Sequence, residues 1–240
     1  MTESGAQLFA RLEARRCLKD IEPRLFPEDG GPDHGEVVEL YGTEGTALST
    51  SSPSVASDEA ALRSCLARLL VVHCSSSSQL LLTLHFLETS LSSRPGLALV
   101  LIDSISAFYW LDRCEGGASI AKQEEKLSKC AELLGRLLRD YRITVFATCH
   151  AIRRSYSGPS SSSASSESDR PYLCRPWQRL VTHRLLCSRQ EAANNMAAAA
   201  GGGKEQRKQQ VFTVHSTSSS RTKAYRSSSF CVTEGGVEFV

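Results

Sequence analysis

The sequence predicts an α/β protein with a mostly parallel sheet, helices on both faces and antiparallel strands at its C-terminal end. Three observations predict it. First, "GLALVLIDSIS" (96–106) and "RITVFATCH" (142–150) are near-continuous apolar runs, as strands buried on both faces require. Second, "GGASIAKQEEKLSKCAELLGRLLRDY" (116–141) lies between them and sets Leu127, Leu134 and Leu138 on one helical stripe. Third, "VFTVHST" (211–217) and "SFCVTEGGVEFV" (229–240) read as strands turning at Gly235–Gly236. Strands alternating with long helices imply right-handed βαβ units.

The other elements follow in order. Residues 4–19 space Leu8, Phe9 and Leu12 as a short amphipathic helix, which the Pro/Gly/Asp-rich stretch 22–35 ends. This divides the chain into an N-terminal helix and linker (1–34) and a core (35–240). "EVVELYG" (36–42) alternates as a strand does. Ser57 with Asp58 and Glu59 predicts an N-cap and acidic first turn of a helix to about Leu66. "RLLVVHCS" (68–75) reads as a short strand and "SSSQLLLTLHFLETSL" (76–91) as a strongly apolar helix. The serine-rich stretch, about 153–170, reads as a flexible loop, and 191–209 as a low-complexity surface insertion. A short helix around Trp177 leads into a further strand.

Composition narrows the function classes. No run of 18 apolar residues occurs, so a membrane span is not expected, and the N-terminus has no secretory apolar region. Nine cysteines are scattered without a C-x-x-C pair, which predicts reduced, mostly buried thiols and no zinc site. Residues 1–141 hold 14 Lys+Arg against 20 Asp+Glu, a net of −6; residues 142–240 hold 14 against 6, a net of +8. That asymmetry fits an anionic partner for the C-terminal half, such as nucleic acid, and fits an ordinary solvated surface equally well.

The stretch Glu36–Pro53 begins as a strand and phosphate-binding loop. On the G-x-x-x-x-G-K-[ST] template, Gly42 is followed by Thr43, Glu44, Gly45 and Thr46. Ala47 then takes the second glycine's place and Leu48 the lysine's, while Ser49 fits. Leu48 carries no charge, and Ala47 lacks glycine's backbone freedom. One lost charge-assisted contact costs about 1.5–3 kcal/mol of binding. Phosphoryl transfer depends on positioning and charge, so ATP turnover suffers more.

The ordered set "HGEVVELYGTEGT" (34–46), "HCSSSSQLLLTLHFLE" (73–88), "LVLIDSISAFYWLDR" (99–113), "YRITVFATCH" (141–150), "RPYLCRPWQRLVTHRLLCSRQ" (170–190) and "EGGVEF" (234–239) resembles the RecA-like recombinases, specifically the eukaryotic recombinase paralogues. The resemblance implies a RecA-like P-loop core. It also implies that one β–α unit is missing, because "ALSTSSPSVASDEA" stands where the family has a helix, a strand and another helix, and would have its catalytic glutamate.

By the same resemblance, Gly42, Thr43, Glu44, Gly45, Thr46, Ser49 and Asp103 form a degenerate nucleotide site, with ATP and magnesium as the family's cofactors. Asp103 stands at the strand-end magnesium position and His150 at the γ-phosphate sensor. A strand-end polar cap and a structural histidine are their plain alternatives. Two loops would face DNA. One spans about Asp112–Ser119 with Arg113; the other spans about Ala151–Trp177 with Arg153, Arg154, Arg170 and Arg175 beside Tyr156 and Tyr172. Residues 7–18 would dock on a sister subunit or on their own domain. Trp177 and Phe108–Tyr109–Trp110 read as core or near-core aromatics. The resemblance implies a nuclear, non-catalytic subunit of a heteromeric paralogue complex. That complex would assist recombinase filaments on single-stranded DNA during double-strand break repair. An active P-loop ATPase or nucleotide kinase with an atypical loop, and a truncated non-functional isoform, are the readings left beside it.

Overall fold

Apolar runs need hydrogen-bonded neighbours to become strands, and the four long ones find them side by side. The computed structural model describes residues 25–26, 32, 34–42, 63, 66–150, 173–189, 211–218, 225–233 and 236–240. Its strands are β1 (Val37–Gly42), β2 (Leu99–Ile102), β3 (Thr144–His150), β4 (His183–Arg189), β5 (Val211–Ser218), β6 (Tyr225–Thr233) and β7 (Gly236–Phe239). They form one sheet in the order β2-β3-β1-β4-β5-β6-β7. β2, β3, β1 and β4 run parallel, and β5 to β7 continue antiparallel. This is the parallel core with an antiparallel C-terminal extension that the sequence predicts.

Each long helix is set by its own caps. In α1 (Ser77–Ser93) the Ser76 hydroxyl accepts the Gln79 N–H at 3.2 Å, and Pro95 follows the C-cap Arg94. After α2 (Tyr109–Glu115), α3 (Ile120–Tyr141) starts at Ser119 and ends at Arg142. Arg142 takes a left-handed φ of 53° and returns its N–H to the Leu138 carbonyl at 3.0 Å. The stripe Leu127–Leu134–Leu138 is buried against the sheet, as its spacing predicts. α4 (Arg175–Leu180) carries Pro176 in its first turn, where a missing N–H costs nothing.

Side-chain alternation separates two cores. Val37, Val145, Ala147, Cys149 and Ile102 point to one face, where Leu84 and Leu91 of α1, the α3 stripe and Trp177 of α4 cover them. Val38, Leu185, Cys187 and Val214 point to the other, beneath Leu25 and Phe26. The described long helices therefore lie on one face, where helices on both were expected. The second core extends along β1, β4 and β5 and stops short of β2: Leu99 is 38% exposed and Leu101 63%.

Two expectations are corrected. Residues 68–75 do not form a strand; Leu69 to Val72 run as irregular chain, 52–78% exposed. Apolarity alone gives no strand without a neighbour to complete its hydrogen bonds. Trp110 is not a core residue, being 58% exposed, whereas Trp177 is fully buried. The N-terminal helix (4–19), the serine-rich loop and the low-complexity insertion lie outside the described residues. Of the helix expected to end near Leu66, Arg63 and Leu66 are described, and both are helical.

Candidate functional site

Parallel strands end together, so the loops that leave them meet on one edge of the sheet. Gly42, the last residue of β1, lies opposite His150 of β3 and Cys187 of β4. Asp103 directly follows β2, whose last residue Ile102 faces Ala147. The Thr148 hydroxyl donates to the Asp103 carboxylate, and the Ile105 N–H donates to the Thr148 carbonyl at 3.0 Å. The His150 N–H donates to the Ser106 hydroxyl at 2.9 Å. Gly42, Asp103 and His150 are thus brought to one edge. Thr43, Glu44, Gly45, Thr46 and Ser49 lie outside the described residues.

Gly42, Asp103, Ser104, Ser106, Thr148 and His150 supply hydroxyls, a carboxylate and an imidazole. None of these is a lysine or arginine, and Leu48 holds the sequence position of the missing cation. A triphosphate needs fixed positive charge, so these residues do not fit ATP. Among the described residues no cluster of three or more His, Cys, Asp or Glu is arranged to hold a metal.

The first predicted DNA loop is shorter than expected. Asp112 and Arg113 belong to α2, which leaves only Gly116–Ser119 between α2 and α3. Asp112 is buried: it accepts from the Ser77 hydroxyl at the start of α1 and from Lys126 Nζ of α3 at 3.0 Å. Lys126 also reaches Glu115 at 2.6 Å. The bond to Glu115, then that to Asp112, raises the Lys126 pKa above its ordinary value. One carboxylate therefore ties three helices. Arg113 donates to the Tyr109 hydroxyl at 2.9 Å, and its guanidinium lies 5.7 Å from the Trp110 ring centroid. It rests on aromatics and does not extend from a loop.

Of the second set, Arg153, Arg154 and Arg170 lie outside the described residues. Arg175 is described, and it opens α4 as an exposed residue, so the expected loop ends before it.

Sequence reasoning missed Glu39. Its side chain is buried in the middle of β1, where it accepts from Trp177 Nε1 at 2.6 Å and from Arg184 Nε at 3.0 Å. An acid within the apolar run "VVELYG" was the available signal, since buried acids are rare unless paired. Burial also pushes the Cys130, Cys149 and Cys187 thiols up to about 12, so they are no nucleophiles at neutral pH.

The chain is 39% identical to the mouse (Mus musculus) DNA repair protein XRCC2 across 99% of its own length and 97% of that protein. The chain belongs to the XRCC2 family. It is also 26% identical to the Arabidopsis thaliana DNA repair protein XRCC2 homolog, over 54% of this chain and 42% of that one. No protein-family model matches the chain. The match to the mouse protein spans 284 positions against 240 residues here, so at least 44 positions of that family member face gaps in this chain (284 less 240). The sheet order and parallel core are those of a RecA-like fold, and among the described residues no helix is long and apolar enough to cross a membrane.

Proposed function

We propose that this chain acts in DNA double-strand break repair by homologous recombination, as a non-catalytic nuclear subunit in a heteromeric complex of recombinase paralogues. The complex assists assembly of recombinase filaments on single-stranded DNA, and ATP chemistry resides in sister subunits. Kinship with DNA repair proteins over nearly the whole chain supports the process. The observation that carries the lack of turnover is Leu48 at the lysine position, together with a strand-edge cluster of Gly42, Asp103 and His150 that holds no cation. The gaps relative to the mouse protein fall, in this reading, between Gly42 and α1, where the family's catalytic glutamate would stand.

Single-stranded DNA would be met by Arg153, Arg154, Arg170 and Arg175, supported by the net positive C-terminal half. Arg113 contributes little, being held on Tyr109 and Trp110.

Co-purification with each recombinase paralogue, alongside nucleotide titration and an ATPase assay on the same sample, tests this reading. Stable association with a paralogue and background ATPase are expected. Tight ATP binding with turnover by the isolated chain would favour an active ATPase. Failure to bind any paralogue, with a non-cooperative melt, would favour a non-functional isoform.

A further inference from the structure

The outer edge of β2 is built to pair and has no described strand beside it. β2 is the terminal strand of the sheet and reads Leu-Val-Leu-Ile, four apolar residues with no charge, proline or bulge. Native edge strands ordinarily carry one of those protections. Exposed apolar surface accompanies the open edge, because Leu99 and Leu101 project to the second face of the sheet, where they stay 38% and 63% exposed.

We propose that this edge pairs antiparallel with the same edge of a second copy of this chain. The register follows from side-chain alternation. A two-fold axis normal to the sheet keeps equivalent faces on the same side, so residues of one face must stand opposite residues of that face. Setting Leu99 opposite Leu101 of the second copy, with Val100 opposite Val100, satisfies this. The four leucines then form one apolar row that continues from Phe146 of β3, which faces Leu101. Both copies keep α1 and α3 on the other face.

Charge favours the same arrangement. Arg94 lies exposed before the strand and Asp103 exposed after it. Antiparallel pairing carries the basic end of each copy towards the acidic end of the other, twice, whereas parallel pairing aligns like with like. The competing occupant is Leu69–His73 of the same chain, which is exposed and directly precedes α1.

Sedimentation velocity of the purified full chain over a micromolar range tests the proposal. A dimer is expected. Leu101→Lys, a gatekeeper charge on the edge strand, abolishes it, while Ile120→Lys, at an exposed apolar residue away from the edge, leaves it intact. Arg94→Glu lies outside the strand and weakens the dimer without disturbing the sheet, which covers the case of a misfolded Leu101→Lys. A monomer throughout the range overturns the proposal, and so does a dimer indifferent to both edge variants. A monomer whose Leu99 and Leu101 amides, which face the open edge, resist hydrogen exchange overturns it in favour of Leu69–His73.

Discussion

Trp177 donates its indole N–H to Glu39 at 2.6 Å, across 138 positions of sequence, and thereby fixes α4 against the strand that leads to the phosphate-loop remnant. Arg184 of β4 shares the same carboxylate. Removing the acid strands a buried indole N–H and an arginine whose side chain is 34% exposed. The arginine recovers part of its hydration, so the loss falls below that of a fully buried ion pair. Glu39→Ala is expected to destabilise the chain by about 2–4 kcal/mol, and Glu39→Gln by less, because the amide oxygen still accepts from Trp177. Denaturant unfolding followed by tryptophan fluorescence measures both; equal losses would show that the hydrogen bond contributes nothing.

A second carboxylate holds the helical layer. Asp112 receives Ser77 from the start of α1 and Lys126 from α3. Asp112→Ala leaves a buried hydroxyl without its acceptor and costs about 1–3 kcal/mol. Lys126 retains Glu115 when Asp112 is lost. Lys126→Met instead leaves the buried Asp112 carboxylate with the Ser77 hydroxyl but without this cation, so it costs at least as much as Asp112→Ala. Thermal melts of the two variants give the order directly.

These two anchors mark the boundary of what the sequence reveals. Val145 and Ala147 announce β3 because a strand covered on both faces must be apolar throughout, whereas β2 is equally apolar although Leu99 and Leu101 leave its second face exposed. The α3 stripe announces its helix by spacing alone. Glu39 and Asp112 give local signals, but their partners are up to 145 positions away, and pairwise reach of that kind is set by sheet order. Asp112 and Arg113 were assigned to a loop by family resemblance, whereas they belong to the seven-residue helix α2, which no periodic pattern announces. Residues 68–75 were misplaced for a different reason. Their composition suits a strand, yet a strand is a property of two chains side by side, and no described neighbour completes this one. Gly42 and His150 end β1 and β3 and Asp103 follows β2, so the parallel direction of these strands brings the three to one edge.

The buried thiols make stability fall in alkali. Cys130, Cys149 and Cys187 ionise at about 12 in the folded chain against an ordinary 9.0. Unfolding releases their protons only above pH 9, so their contribution is complete below that value and shrinks as pH rises from 9 towards 12. The slope is about 1.4 kcal/mol per pH unit for each thiol. Lys126 is held above its ordinary 10.5 and adds its own loss only beyond that. Melting temperature is therefore expected to be flat between pH 7 and 8.5 and to drop from pH 9 to 10. Burial pushes the Cys174 thiol up as well, so Cys187→Ala should reduce that drop by less than a third. Unchanged steepness would rule out ionisation as the cause.

Repairing the loop separates nucleotide binding from turnover. Ala47→Gly with Leu48→Lys restores the glycine freedom and the cation of the template. A single charge-assisted contact strengthens binding by about 1.5–3 kcal/mol, or roughly 10- to 150-fold. A fluorescent ATP analogue should therefore bind the double variant at least tenfold more tightly than the parent chain. Hydrolysis should nonetheless stay at background, because phosphoryl transfer to water also needs a residue that orients the attacking water. At the strand edge the Asp103 carboxylate already accepts from Thr148, and by the resemblance the family's catalytic glutamate has no counterpart in this sequence. Turnover by the double variant that is lost with Asp103→Asn would show that the edge retains a working magnesium site, and the assignment of this chain as a non-catalytic subunit would fall with it.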